Sequence, residues 1–253
     1  MKKLVILALT LLLCIGLCSC DLVIAAGTSP KADAATLYRE GFSKLTPRES
    51  MNVCVSAIMD DGGDEQEQQI DLAYVIDENG QIALSLRMVI AVEDERISMS
   101  AVYVDGWVYE TYEYNGEVEK NKYCEEMDVE ELMTVMLAYG PSEAVAKMLA
   151  NAEITKNGNL STFSCELDED AACEAFAYNL LLLMMTDGDT VPDREPGMAG
   201  SISVTVNEEG YLVKIEETYT VDGETATLVT EFPNPGEPVV ITAPADADSY
   251  IES

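Results

Sequence analysis

Apolar and polar positions alternate with a period of two along much of the chain. Met51, Val53, Val55, Ala57 and Met59 interleave with Ser50, Asn52, Cys54 and Ser56, as in a strand with one buried and one wet face. The same alternation returns in Ile70-Leu72-Tyr74-Ile76, Ile82-Leu84-Leu86-Met88-Ile90-Val92, Ile97-Met99-Ala101-Tyr103 and Trp107-Tyr109-Thr111. Glu117 to Tyr123 reads as a further, more polar strand near an edge. Turn signals separate these runs, among them Asp60 to Gly63, Glu78-Asn79-Gly80, Asp105-Gly106 and Asn115-Gly116. Asp-Gly and Asn-Gly supply the positive φ of tight hairpins, so sequential strands are expected to pair as an antiparallel meander.

Helical periods interrupt this pattern. Ala34 to Leu45 sets Leu37, Phe42 and Leu45 roughly on one face and stops before Pro47. Val129 to Tyr139 and Ser142 to Ala152, divided by Gly140-Pro141, predict two short helices, and Asn157-Gly158-Asn159 turns a hairpin. A longer helix is expected from about Asp168 to Met185, with an acidic first turn that suits the helix dipole. Ala172, Phe176, Leu180 and Leu183 mark one of its faces, and Glu174 is expected on the solvent side. Leu180 to Met185 is apolar all round, so protein should enclose it. Three alternating strands follow at Ser201 to Val206, Tyr211 to Val221 and Thr225 to Phe232, and a tail runs through Val239-Val240-Ile241 to a polar end.

Charge then narrows the function classes. The 253 residues carry 14 basic and 47 acidic side chains, a net charge of −33. Nucleic-acid binding is excluded, since affinity for phosphate backbones comes from Lys and Arg. A hydrophobic fraction of 48% still supplies a core. The chain has no histidine, which rules out a Ser-His-Asp triad, a Cys-His pair and any His-ligated metal.

Lys2 and Lys3 precede an uncharged stretch from Leu4 to Leu17. It is shorter than the roughly 20 residues of a spanning helix but suits an export signal. It ends in Leu17-Cys18-Ser19-Cys20, which resembles the lipobox of bacterial lipoproteins. That resemblance implies residues 1–19 as signal peptide, Cys20 as the lipidated N-terminus, and residues 20–33 as a flexible tether. The remaining cysteines, Cys54, Cys124, Cys165 and Cys173, allow one or two disulfides or free buried thiols.

An N-terminal helix, about ten antiparallel strands, a central helical insert and a lipobox together resemble the LolA/LolB/LppX superfamily of envelope lipid carriers. The closing segment Phe232 to Pro244 and the hairpin Val104-Asp105-Gly106-Trp107-Val108-Tyr109 are similar to uncharacterised Gram-positive lipoproteins of that fold. The resemblance implies an α+β domain over residues 34–253, a single curved antiparallel sheet forming a half β-barrel whose concave face is plugged by helices. It gives no residue a role apart from Cys20, and Arg87, on the polar phase of its strand, does not match the arginine LolA uses near its lid.

Candidate chemistry centres on that concave face. Leu84, Leu86 and Met88 share a phase, as do Met99 and Ala101, and both sets are expected to point at the helix bearing Phe176, Leu180, Leu183 and Met184. Methionine is flexible and polarizable, so a Met-rich interior either adapts to an apolar ligand or simply fills a core. Tyr103, Trp107, Tyr109, Tyr112, Tyr114 and Tyr123 read either as cross-strand packing or as a contact face. The acidic loops Asp60 to Glu65 and Asp187 to Glu195 do not fit EF-hand spacing. No metal, cofactor or catalytic residue is expected. The reading is a non-enzymatic lipoprotein, lipid-anchored on the extracytoplasmic face of the cell membrane, binding an apolar or amphipathic, lipid-like ligand. The alternative is a cell-surface adaptor that contacts a partner protein, of unknown identity, without a small ligand.

Overall fold

The computed structural model describes residues 33–45, 50–60, 65–92, 95–126, 140–177, 197–221 and 223–252. Twelve strands form one sheet: β1 (Ser50–Asp60), β2 (Glu65–Ile76), β3 (Ile82–Val92), β4 (Glu95–Val104), β5 (Trp107–Tyr114), β6 (Glu117–Cys124), β7 (Thr155–Asn157), β8 (Leu160–Leu167), β9 (Ala199–Asn207), β10 (Leu212–Val221), β11 (Glu224–Glu231) and β12 (Ile251–Glu252). Their order is β12-β6-β5-β4-β3-β2-β1-β11-β10-β9-β8-β7. Two antiparallel meanders, β1–β6 and β7–β11, therefore meet where β1 pairs with β11. The outermost strands do not pair with each other, and the curved sheet stays an open half-barrel. The α+β half-barrel expected from the sequence is the fold observed.

Hairpin chemistry sets the register. Asp105 (φ 52°) with Gly106 (φ 78°), and Asn115 (φ 51°) with Gly116 (φ 79°), take the paired positive φ values of two-residue hairpin turns. They fix Val104 opposite Trp107 and Tyr114 opposite Glu117.

Three helices are described: α1 (Ala34–Leu45), α2 (Glu143–Leu149) and α3 (Glu169–Ala177). Asp33 caps α1 by accepting the Thr36 N–H at 2.7 Å, and Asp168 caps α3 by accepting the Ala171 N–H at 2.9 Å. The buried residues of α1 are Ala34, Ala35, Tyr38, Gly41 and Phe42, with Leu37 and Leu45 only partly buried against the core. Tyr38, which the sequence reading passed over, stands at its centre. Small residues let the helices approach the sheet. A Cβ on Gly41 would lie 2.8 Å from Leu212 Cγ, and one on Gly200 would lie 2.9 Å from the Thr218 carbonyl oxygen and 3.5 Å from Ala172 Cβ. These contacts identify the face bearing Leu212 and Gly200 as the inner one. The principal helix–sheet contacts fall on β8, β9 and β10.

The expected helix at Val129 to Tyr139 lies outside the described residues, as does the second half of the helix expected up to Met185. Val239 to Ile241 forms no strand; the Val239 N–H donates to Ser50 Oγ at 3.3 Å. The chain then docks on the convex face of β5 and β6. There Tyr250 packs edge-on against Tyr109, with ring centroids 5.5 Å apart, and its hydroxyl lies 2.7 Å from Thr111 Oγ1. Asp246 pairs with Lys120, and Ile251 adds a short parallel strand beside Asn121.

Cys54, Cys124 and Cys165 are free thiols, so no disulfide joins two of the described cysteines. Burial and the neighbouring Asp71 push the Cys54 thiol up to about 12, and burial raises that of Cys165 to about 11. Both stay protonated near neutral pH and are poor nucleophiles.

Candidate ligand-binding face

Register places the inner residues of neighbouring strands in rows. One row runs Val204, Ile215, Thr230, Val55, Ile70, Met88, Met99, Tyr112 across β9 to β5. The adjacent row carries Leu72, Leu86, Ala101 and Glu110. Leu84, Leu86, Met88, Met99 and Ala101 thus share the inner face, with Leu86 opposite Ala101 and Met88 opposite Met99.

The two halves of this face differ in how they are covered. Under the helices, Val204, Leu212 and Phe163 are 0%, 0% and 1% exposed. On β3 and β4, Leu84 is buried, but Leu86, Met88, Met99 and Ala101 remain half-buried. Leu86 and Met88 lean against the core cluster, so the half-open stripe is continuous with the packed core. Phe176 sits elsewhere: its ring packs edge-on against Tyr219 of β10 at 5.1 Å. In sheet order β10 stands four strands from β3. Cys20, Leu180, Leu183 and Met184 lie outside the described residues, as does most of both acidic loops.

Three of the polar residues on this face bear on binding. Gln68 on β2 occupies an inner position between Ala57 and Ile90. It is 3% exposed, and among the described residues none donates to its carboxamide oxygen. An orphaned buried acceptor costs about 1–3 kcal/mol. Glu217 on β10 is also buried and accepts the Tyr219 hydroxyl at 3.0 Å. Glu110 on β5 accepts the Tyr123 hydroxyl at 2.9 Å; burial, then that carboxylate, raises the Tyr123 phenol well above its ordinary pKa.

A polar junction ties the helices together above this face. The Ser142 side chain caps α2 by accepting the Val145 N–H at 3.1 Å, and its hydroxyl donates to Glu174 of α3 at 2.8 Å. The Ser142 N–H donates to the Tyr38 hydroxyl of α1 at 3.2 Å. Burial, with the Glu217 carboxylate second, holds the Tyr38 phenol far above its usual range. Glu174 therefore does not face solvent as expected; it is half-buried and bonded.

The aromatic group divides between the two faces. Tyr103, Tyr112, Tyr114 and Tyr123 take inner positions, whereas Trp107 and Tyr109 lie outside, Trp107 beneath the Lys122 ammonium at 5.6 Å. They form no single contact surface. Arg87 also points outward and pairs with Asp71 at 3.4 Å. No helix among the described residues is long and apolar enough to cross a membrane.

No family model matches the chain. No curated protein matches it either. Among solved structures it is similar to LprF from Mycobacterium bovis, with 13% sequence identity and a TM-score of 0.43 over 84% of this chain and 97% of that one.

Gln68, Glu217 and the Ser142–Glu174 junction were all missed from the sequence. Gln68 lies in Glu65-Gln66-Glu67-Gln68-Gln69, a run whose uniform polarity hides which residues face inward. The only available signal was distance from the next hairpin turn, counted in twos from Tyr74.

Proposed function

We propose that the protein is a non-enzymatic lipoprotein, anchored through a lipidated Cys20 on the extracytoplasmic face of the membrane, whose concave face binds an apolar or amphipathic, lipid-like ligand. The observation that carries this reading is the half-open stripe of Leu86, Met88, Met99 and Ala101, continuous with the core. A sheet face serving only as core gains about 25 cal/mol for each Å² of apolar surface it buries, so leaving this stripe half-exposed forgoes stability. Its side chains are flexible or small, which suits an acyl chain whose length and kinks vary.

The test is native mass spectrometry of the full-length protein purified from its host membranes, alongside binding of the uncharged fluorophore N-phenylnaphthylamine. Retained lipid, and probe binding that Ala101→Trp reduces while the fold persists, are the expected results. No retained lipid and no probe binding would retire the reading. The anchor is tested separately: Cys20→Ala should abolish membrane fractionation, and Cys18→Ala should not.

A further inference from the structure

Charge and hydrogen bonding on the concave face specify which kind of amphiphile fits. On β1–β6 and β8–β11 every basic side chain, namely Arg87, Arg96, Lys120, Lys122 and Lys214, occupies the outer phase. Lys156 is the one strand cation in the inner phase among the described residues, and it stands exposed on the edge strand β7, at the far end of the sheet from β3 and β4. Of the helix cations, Arg39 is held by Glu143, Lys44 donates to the Glu209 carbonyl oxygen, and Lys147 in the last turn of α2 is exposed. The inner face meanwhile carries the Glu110 and Glu217 carboxylates. A carboxylate or phosphate headgroup entering here would be stripped of water, meet acceptors, and find no inward-facing counter-charge among the described residues of β1–β6 and β8–β11.

A second, independent feature points to what the face does accept. The Gln68 carboxamide oxygen is buried, with Ala57 and Ile90 across from it and Ile70 and Gln66 on either side along the same face, and no described residue donates to it. Ile90, one strand away, is half-buried and belongs to the strand that carries the open stripe. A hydroxyl both donates and accepts, so it satisfies a carboxamide in either orientation of the amide, which an ammonium cannot.

We propose that the ligand is an uncharged, hydroxyl-bearing amphiphile, bound with its hydroxyl against the Gln68 carboxamide, and that anionic amphiphiles, free fatty acids included, are rejected. This rests on the ligand-binding reading above and sharpens it. The experiment displaces N-phenylnaphthylamine from the mature protein near neutral pH with monooleoylglycerol, oleate and oleylamine, which share an acyl length and differ in the head. Each is used below its aggregation threshold. Monooleoylglycerol should compete at about tenfold lower concentration than either charged analogue. Gln68→Leu should erase that advantage, each competition being referred to the variant's own affinity for the fluorophore. It should also leave the melting temperature unchanged or raised, because an apolar side chain of similar size removes an unsatisfied group. The ranking of heads in the wild type needs no variant, so it decides the matter even if Gln68→Leu misfolds. Oleate or oleylamine competing as well as monooleoylglycerol, or a preference that survives Gln68→Leu, overturns the inference and leaves the binding reading standing. Failure of the fluorophore itself to bind brings down both.

Discussion

At the scale of single residues, the structure gives weight to polar groups that the pattern of the chain treats as ordinary surface. Ser142 is buried, caps α2, and donates a hydrogen bond from its hydroxyl to Glu174, while its backbone N–H donates to the Tyr38 hydroxyl. One serine thus joins the three described helices. Ser142→Ala should cost about 1–2 kcal/mol, since it removes an N-cap and leaves a carboxylate short of a donor. Glu174→Ala should cost about 1 kcal/mol. Because both changes break the same bond, the double variant should lose clearly less than their sum in urea unfolding. Strict additivity would mean that the 2.8 Å contact contributes nothing. The inward positions on β3 and β4 were readable because alternation and side-chain type agree there. Gln68 and Glu217 were not, because a polar residue at an inward position contradicts its own type, and only register reveals it.

At the scale of elements, the strands bounded by Asp-Gly and Asn-Gly were the most legible parts of the chain, because a two-residue turn leaves the register little freedom. The first five residues of β2, Glu65 to Gln69, carry no period at all, yet they are strand because β1 and β3 offer partners on both sides. Tertiary context overrides propensity there. The tail was the least legible, since its role depends on distant partners. Tyr250, Asp246 and Ile251 cover the flank of β6, which would otherwise present a bare edge. Removing residues 246–253 should therefore speed amide exchange in Glu117–Cys124 by about tenfold or more, while β8 to β10 keep their protection. Unchanged exchange in β6 would show that the tail merely rests on the sheet.

At the scale of the whole molecule, a net charge of −33 is set against four ion pairs among the described residues. Those described, such as Arg39–Glu143 and Lys214–Glu216, are largely exposed and contribute little individually. Self-repulsion should therefore dominate the electrostatics of stability. Raising sodium chloride from about 0.01 M to about 0.15 M shortens the screening length from about 30 Å to about 8 Å, and the melting temperature should rise with it. A fall on adding salt would mean that the ion pairs outweigh the repulsion. The meeting of the two meanders has a further consequence for how the molecule comes into being. Ala57 pairs with Leu228, near the opposite end of the chain. During synthesis, the hairpins from β1 to β6 can zip together as they emerge, but the outer side of β1 must wait for almost the last strand made. Until β11 arrives, the nascent chain displays a row of unbonded amides flanked by Val55, Ala57 and Met59, a template for pairing with any other extended chain. Assembly should then be slow, limited by a long-range encounter rather than by local turns. A holdase that shields strand edges would speed the yield of folded protein without touching the rate at which the early hairpins form.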